Sequence, residues 1–222
     1  MAAGVGSMAM GDARITIVFD NDAAGPGLKY GWGFAAVVER GGARQLFDTG
    51  PDPKALTHNL GRLGFDPATF DSVVISHDHW DHTGGLAGIL RARPGIEVHI
   101  PASGLADLGR RIERLGGRPI GHGPALEADP ETPLAEIAPG VLTTGEMAAS
   151  PLEHSLVLPG PDGPAVLTGC CHQGIVRRLR ELGVVRVVPT HCTGRAGIAA
   201  LAREFGPDCL RGGAGRVIEL AG

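Results

Sequence analysis

Aromatic side chains are scarce: six Phe, two Trp and one Tyr make up 4% of the 222 residues. The core must therefore be filled mainly by Ala, Val and Leu. No run approaches the ~20 apolar residues that a membrane-crossing helix needs. No block of like charge occurs, and a net charge of −4 leaves no electrostatic footprint for nucleic acid or an anionic membrane surface. Cysteine is sparse as well. Of the four present, two are adjacent at 170 and 171, which is not the spacing of a disulfide framework. Reduced thiols in a cytoplasm are the expectation. Residues 1–13 (MAAGVGSMAMGDA) lack the basic start and apolar stretch of a signal peptide. They read as a disordered start or a leader left from cloning, with residues 14–222 as one domain.

What is present describes an ordinary globular chain, 43% hydrophobic and 20% charged, long enough to bury a sizeable core. The 36 Gly and 17 Pro call for many tight turns. Residues 14–19 alternate as a strand, residues 34–39 and 44–47 follow as strands around a Gly41-Gly42 turn, and residues 52–63 have helical spacing at Ala55, Leu56, Leu60 and Leu63. Helices are expected at 85–92, 105–115, 175–182 and 197–205. Further strands are expected at 72–75, 97–100, 140–144, 153–158, 165–168, 184–189 and 217–220. Residues 116–136 read as loop with room for one strand. Runs of strands followed by helix and strand, occurring twice, predict two sheets packed face to face with helices outside, an α/β chain of four layers, αββα.

The chain is organised around residues 71–85, DSVVISHDHWDHTGG. A short β-branched run ends in His77-Asp78-His79-Trp80-Asp81-His82, and a Gly-Gly pair closes the turn. Three imidazoles and two carboxylates on a loop leaving a rigid strand can be aimed at one point, and both ligand types suit Zn²⁺ or iron. A His-rich polar loop is the bland alternative, but nothing in the stretch has the pattern of packing.

With Phe47-Asp48-Thr49-Gly50 upstream, the H-x-H-x-D-H pattern resembles the metallo-β-lactamase fold superfamily. Asn21, Gly31-Trp32-Gly33-Phe34, Thr144-Gly145-Glu146, Gly169-Cys170-Cys171-His172 and His191-Cys192-Thr193-Gly194 follow in the order of one branch. That branch is the metal-dependent hydrolases that include the archaeal dihydropterin ribofuranosyl-aminobenzene phosphate synthases. The resemblance implies the αββα sandwich. It also implies that His77 and His79 bind one metal and Asp81 and His82 a second, ~3.5–4 Å away. His172 and His191 follow apolar segments as His77 does. Either alone could be a solvated histidine, and the match to the GC-x-H and HCTG segments makes both candidate ligands. Asp48 is expected to orient the loop by hydrogen bonding without touching metal. His154 falls near where many members place a further ligand and is a minor candidate, while His58, His99 and His122 have no evident partners.

Two departures stand out. Where most members have a metal-bridging Asp, this chain has Cys170, which either ligates a borderline metal as thiolate or packs as a small buried residue. The Gly-Gly-Phe-His-Leu segment of longer branch members is missing. Lys29, Tyr30 and Trp32, on a loop between the first strands, and Trp80 within the motif are the expected walls of a substrate pocket. Trp32 could equally pack in the core.

The expected activity is that of a metal-dependent hydrolase. One or two ions, Zn²⁺ first with Mn²⁺ or Fe as alternatives, would activate water against an ester, lactone, amide or phosphoester of a small molecule, with Asp81 accepting or steering the proton. A pterin-linked C–N bond-forming synthase, an iron-bearing oxidoreductase on the same ligands and a non-catalytic metal-dependent binding protein are the alternatives, since fold alone does not fix function.

Overall fold

A strand covered on both faces needs apolar side chains at every position, because successive side chains point to opposite sides. β2 (Ala35–Arg40) is built this way. Ala35 and Val37 join one hydrophobic cluster, Ala36 and Val38 the other, and all four are fully buried. The computed structural model describes residues 11–124, 134–147, 150–170 and 184–221. Its other strands are β1 (Ala13–Phe19), β3 (Ala43–Phe47), β4 (Ser72–Val74), β5 (Glu97–Pro101), β6 (Arg118–His122), β7 (Ala135–Ala138), β8 (Val141–Thr143), β9 (Leu156–Leu158), β10 (Ala165–Leu167) and β11 (Val217–Leu220). They form a seven-stranded sheet of order β11-β1-β2-β3-β4-β5-β6 and a four-stranded sheet of order β10-β9-β8-β7.

From β3 to β6 neighbouring strands run parallel, and parallel strands need crossovers. These are α1 (Pro53–Arg62), α2 (Trp80–Thr83) with α3 (Leu86–Ala92), and α4 (Leu108–Arg114). α1 starts where it does because the Asp52 side chain accepts from the Ala55 N–H and Pro53 opens the first turn. Leu56, Leu60, Leu86, Ile89, Leu90, Leu108 and Ile112 from these helices pack on Val37, Leu46, Val73 and Val98. On the opposite face Ile15, Ile17, Phe47 and Val74 meet Val141, Leu156 and Leu158 of the small sheet. α5 (Gly194–Phe205) buries Leu201 and Phe205 against Val187 in a small third cluster. The architecture is the α/β sandwich of two sheets and flanking helices that the sequence predicts.

Local details differ from the sequence reading. Residues 184–189 do not form a strand. Val187 makes one parallel bridge to Cys209, with its N–H donating to Asp208 O and its carbonyl accepting from Leu210 N–H. Cys209 follows directly on a 3₁₀ turn at Gly206–Asp208, so the pairing has no ladder to extend into. The helix expected from residue 105 begins at Leu108, after a 3₁₀ turn over Ala102–Ala106. The helix expected at 175–182 lies outside the described residues. Among the described residues no helix is long and apolar enough to cross a membrane.

Because β3 and β4 are parallel, the loops at their C-terminal ends emerge side by side. Their approach is close. A Cβ on Gly84 would lie 2.1 Å from Pro51 O, and one on Gly85 would lie 2.1 Å from Thr49 O. Gly85→Ala must therefore force the two loops apart, and a stability loss of roughly 1–3 kcal/mol is expected from urea denaturation. An unchanged midpoint would mean that the loops can separate freely.

Candidate metal centre

The centre grows from the ends of β1, β3 and β4. Past β3 the chain enters Asp48 with φ 56°, and His191 has φ 32°. Among the described residues these two alone, apart from glycines, have positive φ. Left-handed backbone at a non-glycine costs about 1–2 kcal/mol and persists only where surroundings hold it. For Asp48 the holding contacts are clear. Its N–H donates to Val74 O at 2.8 Å. Its carboxylate accepts from Ser76 N–H at 2.7 Å and Ser76 Oγ at 2.8 Å, and Oδ2 lies 2.7 Å from His82 Nδ1. One buried carboxylate thus fixes the start of the motif loop and the direction of His82.

His79 caps α2, which places Asp81 and His82 on consecutive positions of a single buried turn. The turn is clamped from the β3 loop: Thr49 N–H and Oγ both donate to His82 O, at 2.7 and 2.8 Å. Phe34 N–H donates to Asp81 O at 3.2 Å. Gly33 is required beside it, since a Cβ there would lie 2.7 Å from Asp81 O. Across the motif, His77 Nε2 lies 3.0 Å from His79 Nδ1, and His77 Nδ1 lies 2.9 Å from Ser76 Oγ.

His191, 110 positions beyond Asp81 in the chain, arrives on a 3₁₀ turn at His191–Thr193. Its buried Nε2 pairs with Asp81 Oδ2 at 2.9 Å. With Gly33 N–H donating to Nδ1 at 3.1 Å, Nε2 is the ring nitrogen turned to Asp81. His82 Nε2 lies 3.7 Å from Asp81 Oδ2 and 3.2 Å from Cys170 Sγ. Three donor sets each fall within 4.8 Å: Asp81, His82 and His191; His77, His82 and Cys170; and Cys170, His191 and Cys192. Nitrogen, carboxylate oxygen and sulfur donors at this spacing fit a borderline ion such as Zn²⁺.

Electrostatics follow the geometry. Burial opposes a charged His82, but the charge and hydrogen bond of Asp48 outweigh it and raise the pKa. Burial and the charge of His82 lower His191 to about 4, which keeps it in the neutral form that ligation requires. A hydrogen bond to Cys192, with burial, pushes the Cys170 thiol up.

The structure brings His77, His79, Asp81, His82, Cys170 and His191 together, with Asp48 behind them. His172 lies outside the described residues. His154 is turned away: Nδ1 lies 2.9 Å from Thr143 Oγ1 and Nε2 lies 3.0 Å from Ile75 O, so both ring nitrogens are used by the fold. His99 and His122 do have a partner, each other, at 2.8 Å between Nδ1 and Nε2. Their strands are neighbours in the sheet, which no local pattern reveals. Asp78 pairs with Arg111 at 3.0 Å on the surface. Trp32 meets the His191 ring edge-on, 4.8 Å between centroids. Trp32, Trp80 and Tyr30 are 57%, 63% and 63% exposed, so no Trp or Tyr of the chain is in the core, and Trp32 stands beside the centre. Lys29 is also exposed, its backbone tied on both sides to the Asn59 side chain of α1.

Sequence reasoning missed Asp20 and Cys192 and gave Asn21 no role. Asp20 Oδ1 accepts from His191 N–H at 2.7 Å, and Asn21 Nδ2 donates to His191 O at 2.7 Å. The available signal was a polar Asp-Asn pair directly after apolar β1, the same placement that Asp48 has after β3.

Comparison with known proteins agrees with this picture. The family model described as "Metallo-beta-lactamase superfamily" matches residues 33–191. The 7,8-dihydropterin-6-methyl-4-(beta-D-ribofuranosyl)-aminobenzene-5'-phosphate synthase of Methanocaldococcus jannaschii is 25% identical, over 86% of this chain and 90% of that protein. A solved metal-dependent hydrolase of the beta-lactamase superfamily superposes with TM-score 0.74 at 23% identity, over 95% of this chain and 100% of the other. Human tRNase Z, short form, superposes with TM-score 0.62 at 16% identity, over 92% and 98%; both structures establish likeness of fold. By its fold, its motif and the span of that family match, the chain belongs to the metallo-beta-lactamase superfamily.

Proposed function

We propose that the protein is a metal-dependent hydrolase of a small molecule, with one or two Zn²⁺ ions, or Mn²⁺ or Fe in their place, held by His77, His79, Asp81, His82, Cys170 and His191. The observation that supports this most is the convergence of the buried Asp81, His82 and His191, whose ligand atoms all lie within 4.8 Å of one another. An ion there would supply Lewis-acid polarisation of the scissile bond and a water that ionises near pH ~7. The protein's own part is positioning. Asp48 fixes His82, Asp20 and Asn21 fix His191, and the carboxylate of Asp81 stands where it can accept or steer a proton of the attacking water. Trp32 and Trp80 are exposed, and Trp32 lies edge-on to His191; in this reading their flat faces take a planar portion of the substrate. Cys170, Cys192 and Cys209 are free thiols, in keeping with a reducing, cytoplasmic setting.

A second reading comes from the archaeal relative, whose name is that of a synthase: the same centre would then serve bond formation on a pterin-linked substrate. The test is metal analysis of the purified protein, followed by a panel of esters, lactones and phosphodiesters before and after chelation. Expected are about one or two ions per chain, hydrolysis of at least one substrate class, loss on chelation and recovery with Zn²⁺, Mn²⁺ or Fe²⁺. Undiminished hydrolysis by verified metal-free protein would end the proposal.

A further inference from the structure

We infer that Cys192 supplies a second sulfur ligand beside Cys170, making the centre selective for soft or borderline divalent cations. The inference rests on the metal-centre reading and adds a residue to it. The Cys170 and Cys192 sulfurs and a His191 ring nitrogen all lie within 4.8 Å of one another. A tetrahedral ion with sulfur ligands at ~2.3 Å holds its donors ~3.5–4 Å apart, so small side-chain rotations close this set around one ion. The two cysteines come from separate parts of the chain, one following β10 and the other on the His191–Thr193 turn. Both are only partly buried, and Cys192 Sγ points at the Cys170 backbone, donating to its carbonyl oxygen at 3.0 Å.

The backbone that presents Cys192 is held as firmly as that of an assigned ligand. Asp20 takes the His191 N–H, Asn21 takes the His191 carbonyl, and Thr193 N–H closes the turn on Thr190 O. A cysteine that merely fills space turns its sulfur into an apolar cluster, and Cys192 belongs to none of the three clusters. It faces an imidazole and another thiol instead. On binding, each thiol gives up its proton to solvent and its sulfur lone pair to the ion. Thiolate donors prefer Zn²⁺, Co²⁺ or Cd²⁺ over Mn²⁺ or Mg²⁺.

Titration of the metal-free protein with Co²⁺ under reducing, anaerobic conditions tests this. Visible ligand-field bands report binding, and near-ultraviolet sulfur-to-cobalt charge transfer reports thiolate ligands. The native protein should show both. Cys192→Ser and Cys170→Ser should each keep visible bands and lose about half of the charge-transfer intensity. The double variant should lose it entirely, and Cys209→Ser should match the native spectrum. A parallel measurement needs no variant: Zn²⁺ should protect the Cys192-containing peptide from alkylation, read by mass spectrometry. A native spectrum from Cys192→Ser, or unprotected Cys192 in Zn²⁺-loaded protein, overturns the cysteine pair and leaves the metal-centre reading standing. Failure of the native protein to develop any visible bands would overturn both.

Discussion

Asp48→Ala is expected to lose about 3–5 kcal/mol of stability and ~10–100-fold in metal affinity. Three groups depend on that carboxylate: the Ser76 N–H, the Ser76 hydroxyl and the His82 imidazole. All are fully buried, so water cannot replace the lost acceptor without opening the site. Alanine also inherits a backbone at φ 56° with no polar side chain to hold it there. Asp48→Asn separates the contributions. Asparagine tolerates left-handed backbone and still offers one acceptor oxygen, so it should recover part of the stability while His82 remains poorly oriented. Urea denaturation followed by circular dichroism, with a competing chelator titration, measures both. An Asp48→Ala protein as stable as the native one, with metal affinity intact, would show that the loop holds itself.

Acidification should destabilise the protein through two buried histidines outside the motif, in addition to His191 of the centre. Burial foremost, with the neighbouring His122, holds His154 down at about 3. Burial, His122 and Arg118 hold His99 at about 4. In the unfolded chain both return to about 6.5. Above that value both states are neutral and the pair has no effect on stability. As pH falls below it the unfolded state takes up protons that the folded state refuses, so stability declines until the folded pKa values are reached. The slope is about 1.4 kcal/mol per pH unit for each group, or close to ~3 for the two together between roughly pH 5.5 and 4. Denaturation midpoints at pH 7, 6, 5 and 4.5 should fall accordingly, and His99→Gln should flatten the decline. Constant stability down to pH 5 would rule this out.

The fold was legible because β2 and β4 state their burial in continuous apolar runs, β1 alternates, and Ala55, Leu56, Leu60 and Leu63 announce α1 by helical spacing. Four parallel strands in sequence, β3 to β6, then required three helical crossovers. The motif loop was legible for a similar reason: its ligands are one to five residues apart, so local spacing holds most of the geometry. What escaped was set by long-range partners. His99 and His122 meet only because β5 and β6 are neighbours. Asp20 reaches a histidine 171 positions away. Val184–Pro189 has strand composition, but its partner segment turns away after one residue. Cys192 looked like part of a turn until the segment after β10 was placed beside it.

With Trp32, Trp80 and Tyr30 all exposed and Trp32 beside His191, the intrinsic fluorescence of this protein comes from its surface and, in part, from the centre. Emission should be that of solvent-exposed indole even in the native state, so unfolding will change it little. A planar ligand seated on Trp32 would quench part of the signal, as would a paramagnetic ion held near His191, whose ring lies 4.8 Å from that of Trp32. Binding can thus be followed in the unmodified protein, whereas its folding must be followed through the backbone.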